Sequence, residues 1–123
     1  MTAPKTVNLN EKFGLFTEQW SPKIVGELNG QQVRLARFGG EFIWHSHEHE
    51  DELFLVVRGV MRMELRDRTE LVREGEFLIV PRGVEHKPAA ETEEAWVMML
   101  EPAGTVNTGQ VQSERTVTDL ERL

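Results

Sequence analysis

His45-Ser46-His47-Glu48-His49-Glu50-Asp51-Glu52 is the stretch that decides the fold of this chain. His45 and His47 stand two residues apart, so on a strand both imidazoles project from one face while Trp44 and Ser46 point away. Glu48 to Asp51 allow a turn, after which Glu52 comes back beside the histidines at the head of the next strand. His86 follows a Pro-x-Gly turn at Pro81 to Gly83 and so arrives from a different hairpin. Two neighbouring donors plus two from elsewhere is how β-structure closes a cage that the unfolded chain does not possess.

The sequence around this stretch reads as strands. Ile24 to Leu28 and Gln31 to Phe38 flank Asn29-Gly30, whose residues supply the positive φ angles of a two-residue hairpin turn. Gly39-Gly40 breaks the chain, and Glu41 to His47 restarts it as a short strand. Leu53 to Val57 forms a buried strand, and Met61, Met63 and Leu65 then alternate with Arg62, Glu64 and Arg66 to give a dry face and a wet one. Glu70 to Arg73, the apolar run Phe77 to Val80 and Ala95 to Leu100 complete the set. Short strands with turn signals between them predict an all-β sandwich or small barrel. No long amphipathic helix is expected. Residues 1–20 form an N-terminal arm, 21–105 the barrel and 106–123 a C-terminal tail.

With 123 residues, the chain has room for one ordinary core. Its net charge of −7 and lack of a basic run exclude the stripe that phosphate backbones need, so no nucleic-acid partner is expected. There is no cysteine, so a metal must take nitrogen and oxygen donors. The first ten residues hold no apolar leader core and no long apolar run follows, so a cytoplasmic protein with no membrane partner is expected.

Three imidazoles and a carboxylate suit one divalent transition metal (Zn, Mn, Fe, Ni, Co or Cu) better than they suit Ca or Mg, which prefer oxygen. Singly, each histidine is most simply a hydrogen-bonded or exposed side chain; jointly they form a ligand set. Asp51 is the natural rival of Glu52. His49 continues the two-residue period and reaches the same face only if the strand runs on. Arg82 is either an anion-binding group or a surface arginine. Met61, Met63, Met98, Phe54 and Trp96 either line a cavity or are plain core, and Trp44 is assigned to packing or a dimer contact. Ser46 lacks the turn of a nucleophilic serine, and no Gly-rich phosphate loop is present.

The spacing Gly39-x5-His45-x-His47-x4-Glu52-x6-Gly59 resembles the first signature of the cupin family. Gly75-x5-Pro81-x-Gly83-x2-His86 resembles the second, which in the family closes with an asparagine where this chain has Ala90. The resemblance implies an antiparallel jelly-roll barrel with His45, His47, Glu52 and His86 as metal ligands inside its mouth, and a homodimer. It extends to small single-domain cupins labelled mannose-6-phosphate isomerase-like, a label that rests on fold and names no activity. The function it implies is a small-molecule protein with isomerase- or dioxygenase-type chemistry at the metal. A non-catalytic module that binds a small ligand or metal, and a purely structural ion, are the alternatives.

Overall fold

The computed structural model describes residues 3–123; Met1 and Thr2 of the N-terminal arm lie outside the described residues. The elements run α1 (Leu9–Phe13), β1 (Lys23–Leu28), β2 (Gln31–Phe38), β3 (Glu52–Arg58), β4 (Met61–Leu65), β5 (Thr69–Val72), β6 (Phe77–Val80), β7 (His86–Ala90), β8 (Ala95–Pro102) and β9 (Glu121–Arg122). They build a six-stranded sheet, β6-β3-β8-β2-β1-β9, and a three-stranded sheet, β5-β4-β7. The result is an all-β jelly-roll barrel whose two sheets face each other without closing. Every named pairing is antiparallel except the short β1–β9 contact. Among the described residues no helix is long and apolar enough to cross a membrane.

The β1–β2 hairpin turns on Asn29 (φ 50°) and Gly30 (φ 78°), the two positive angles of a type I′ turn. Between the sheets, period-two alternation sends Ala36, Phe38, Phe54, Val56, Met61, Met63, Val97 and Met99 into one apolar core. A second cluster sits on the outer face of the larger sheet, where Phe13 and Phe16 pack on Leu35, Trp96 and Met98. Asn8 starts α1 by accepting the Glu11 amide at 2.9 Å, and the helix delivers Phe13 onto Trp96 with ring centroids 4.9 Å apart. Met61, Met63 and Phe54 are therefore core, whereas Trp96 and Met98 belong to this outer layer.

Further apolar side chains, half-buried on the central strands, continue along that outer face. Ile79, Leu53, Leu100 and Val33 stand in register as one row across four strands, and Phe77 and Leu55 begin the next. Phe77 and Ile79, on the edge strand β6, remain 60% and 51% exposed.

The structure differs from the sequence reading in two stretches. Glu41 to His47 is not a strand: it touches its neighbour only through isolated bridges, Glu41 to Ala89 and His45 to His86. Pro88 lies opposite and has no N–H to donate, so Phe42 gives its amide to the Pro88 carbonyl at 2.9 Å and receives nothing back. The same proline, with Lys87, hides β7 in the sequence, because a central Pro argues against a strand. Here it is tolerated because β7 lies at the edge of its sheet.

Candidate metal centre

Three elements deliver the four predicted side chains to one point. His45 and His47 come from the extended segment after β2, Glu52 is the first residue of β3, and His86 is the first residue of β7. All four are buried, and their ligand atoms lie within 4.8 Å of one another. A reciprocal backbone pair, the His45 amide to the His86 carbonyl at 3.0 Å and the His86 amide to the His45 carbonyl at 2.9 Å, sets two of the rings side by side.

The ring orientations are fixed from behind. His45 Nδ1 donates to the Ile43 carbonyl at 2.9 Å, and His86 Nδ1 donates to the Val84 carbonyl at 3.0 Å. The same local device two residues upstream thus leaves each Nε2 as a bare lone pair aimed at the centre. Glu52 Oε1 lies 2.8 Å from His47 Nε2 and 3.4 Å from His86 Nε2. Neither contact has hydrogen-bond geometry, and His47 Nε2, His86 Nε2 and Glu52 Oε1 are buried without a hydrogen-bond partner. Buried polar atoms left unpaired are costly, and here they converge on a common centre, which fits a cation with nitrogen and oxygen donors.

The electrostatics agree. Burial, helped by the neighbouring His86, pushes the His45 imidazole down to about 4, so it is neutral and ready to ligate at physiological pH. Burial works to raise Glu52, but the adjacent Glu101 carboxyl and the His47 and His86 imidazoles outweigh it and hold Glu52 well below the usual carboxylate range. Glu101 shifts the other way: burial and the adjacent Glu52 charge raise it well above that range, against the pull of Arg34. The two neighbouring acids are thus pushed in opposite directions, Glu52 towards the charged form and Glu101 towards the neutral one.

The other candidates fall outside the cluster. His49 is exposed on the turn, with Glu48 as its nearest acid. Asp51, the rival of Glu52, accepts the Arg82 amide at 2.8 Å and two guanidinium contacts at 3.3 Å. Arg82 is thus a surface arginine that ties the turn before His86 to the turn before Glu52. Trp44 faces outward, with the Arg66 guanidinium 3.8 Å from its ring. Ala90 donates its amide to the Gly40 carbonyl at 2.8 Å, so backbone alone closes the place of the missing asparagine.

The cavity beside the cluster is lined mostly by residues that the sequence reasoning missed. His45, Glu52, Glu101 and Asn107 face it, with Trp20, Phe38, Phe42, Phe54, Pro88 and Met99 as its apolar wall. Of the residues proposed as lining, only Phe54 takes that role. The inward alternation of β8, carried one residue beyond Leu100, reaches Glu101; the signal was the strand's true length. Trp20 adopts φ 57°, a conformation bulky residues avoid, and is held there by its amide to the Arg37 carbonyl at 2.9 Å and its indole N–H to the Gly39 carbonyl at 2.8 Å.

Fold and site together define a small β-barrel with a buried His/Glu group that could hold a metal ion, and residues 32–101 match the Cupin_2 family, described as Cupin domain. This chain belongs to the cupin family. It is similar to a cupin-2 domain containing protein of Shewanella frigidimarina, with 43% identity and a TM-score of 0.76 over 78% of this chain and 93% of that one. Protein NMB1881 of Neisseria meningitidis is 30% identical with a TM-score of 0.72, covering 80% of this chain and all of the other. The uncharacterized protein YdbB of Bacillus subtilis is 38% identical over 64 residues, which is 51% of this chain and 57% of YdbB. The match thus spans little more than half the length of that relative.

Proposed function

We propose that this cupin holds one divalent transition metal through His45, His47, Glu52 and His86 and acts with it on a small metabolite. The observation that carries the reading is the convergence of buried, unpaired donor atoms from three separate elements on one centre. When bound, the ion supplies Lewis-acid polarisation of a ligand oxygen, or dioxygen activation if it is iron(II). The chain's own contribution is to fix two imidazole tautomers through backbone carbonyls and to exclude water with an apolar wall. Glu101 places a second buried carboxyl beside Glu52, and burial with the Glu52 charge raises its affinity for a proton. A proton-holding group next to the site favours proton-transfer chemistry of the isomerase type over dioxygenation.

The working form in this reading is a homodimer. Its support is an outer sheet face on which half-buried Val33, Leu53, Leu55 and Leu100 adjoin exposed Phe77 and Ile79, a row without charged side chains of the kind that homodimer interfaces favour.

His86→Ala tests the ligand assignment. The variant is expected to fold, because the strands do not depend on that one ring, and to come out metal-poor by elemental analysis. Full metal stoichiometry in it would refute the assignment. Turnover of a compound from a broad metabolite panel, lost in a folded His47→Ala protein, separates an enzyme from a binding module.

A further inference from the structure

We propose that the cavity beside the cluster takes a compact ligand with one metal-chelating oxygen head and an apolar body, and discriminates against sugar phosphates and other multiply charged metabolites. The inference rests on the metal-binding reading above and adds the class of ligand.

The wall opposite the donors is apolar and rigid. Phe38, Trp20 and Phe42 form a continuous stack, with centroid separations of 4.3 Å and 4.7 Å, so Trp20 is fixed on both faces. Its indole N–H is already given to the Gly39 carbonyl. Phe54, Pro88 and Met99 extend the wall with no polar side-chain group. A hydroxyl-rich body lying there would bury donors and acceptors without partners, and sites reject such ligands strongly.

Of the polar groups that remain, Asn107 is committed: it donates from Nδ2 to the Arg115 carbonyl at 2.8 Å and accepts the Val117 amide at Oδ1, also at 2.8 Å. Glu101 Oε1 is taken by Arg34 at 2.9 Å, while its Oε2 is buried without a partner next to the four-residue cluster. A ligand's oxygens can therefore be received at the cluster and the adjoining Glu101 Oε2, and nowhere along the apolar wall.

The charge pattern points the same way. Among the described residues no lysine or arginine lines the cavity. Arg34, the buried cation behind it, spends its guanidinium on Gln32, Glu101 and the carbonyls of Ala103 and Thr105. Arg115 is not among the lining residues either; its guanidinium lies 5.7 Å from the Phe42 centroid and 5.8 Å from that of Trp20. A phosphate or second carboxylate on a ligand would lie among Glu52, Glu101 and aromatic carbon with no counter-charge in the lining. The open space is about 30 Å³, on the order of two water molecules, so it takes the chelating head and only the first carbons of the body.

Three α-keto acids with the same chelating head test this: pyruvate, α-ketoisovalerate, with a branched apolar body, and α-ketoglutarate, with an anionic one. The full chain is first titrated with Zn²⁺ in a calorimeter, and each acid is then titrated into the loaded protein. The expected order is α-ketoisovalerate tightest, by about tenfold over pyruvate, with α-ketoglutarate weaker than pyruvate. Phe42→Asn, verified as folded and Zn-binding, is expected to narrow the gap between α-ketoisovalerate and α-ketoglutarate. Binding of α-ketoglutarate as tight as that of α-ketoisovalerate, an unchanged gap in the folded variant, or no binding of any acid to Zn-loaded protein would overturn the inference while leaving the metal site standing. Failure to take up Zn²⁺ in the first titration would overturn both.

Discussion

Stripping the metal and lowering the pH should destabilise this protein through His45 in a window that opens above the range where ordinary carboxylates titrate. Burial and the adjacent His86 hold the folded imidazole at about 4, against 6.5 for the free side chain. Between those values the unfolded chain binds a proton that the folded chain refuses, so stability falls as pH drops from about 6.5 towards 4 and the loss levels off below it. A gap of about 2.5 pH units at about 1.4 kcal/mol each gives a loss of about 3 kcal/mol, a large share of a typical domain's stability. Urea unfolding of chelator-treated protein at a series of pH values measures it, with His45→Gln as the reference that lacks the titrating ring. The wild-type curve should steepen relative to the variant between pH 6.5 and 4. Parallel stability–pH curves for the two proteins would refute the claim that the buried ring stays neutral.

Three further outcomes follow from the packing. Gly109 sits at φ 61° with any Cβ 2.0 Å from the Ser46 carbonyl, so Gly109→Ala should lift the 105–111 segment off the histidine segment and speed metal loss to a chelator; unchanged release kinetics would contradict that contact. Ile79→Asp should turn a dimer into a folded monomer by light scattering; a wild-type protein already monomeric at high concentration would dispose of the sheet-face interface. Phe13→Ala removes a fully buried ring stacked on Trp96 and should cost about 3–5 kcal/mol in urea unfolding. A cost below about 1 kcal/mol, the level of a surface change, would mean that the N-terminal arm is not part of the core.

Much of the barrel could be read from local pattern. Asn29-Gly30 announces its hairpin because the turn demands positive φ at both residues, and Met61 and Met63 show their inward face by simple alternation, whereas on β8 the inward residues are Val97 and Met99 rather than Trp96 and Met98. The strands that escaped notice were those whose local chemistry argues against them. β7 carries Pro88 in its middle, and its pairing with β4 overrides that propensity. Glu41 to His47 failed the opposite way: its pattern is strand-like, but the same proline leaves it no ladder to join.

Which four side chains meet was legible in the chain alone. Residue type and spacing in His45, His47, Glu52 and His86 encode both the chemistry and the periodicity, and these are properties of a short stretch and its turns. What surrounds the four came from folding. That Glu101 lies buried beside Glu52, that Trp20, Phe38 and Phe42 stack into one wall, and that Asp51 is consumed by Arg82 depend on contacts between segments far apart in the chain. A side chain's partners, burial and protonation are set by what folding brings against it, and no local pattern carries that information.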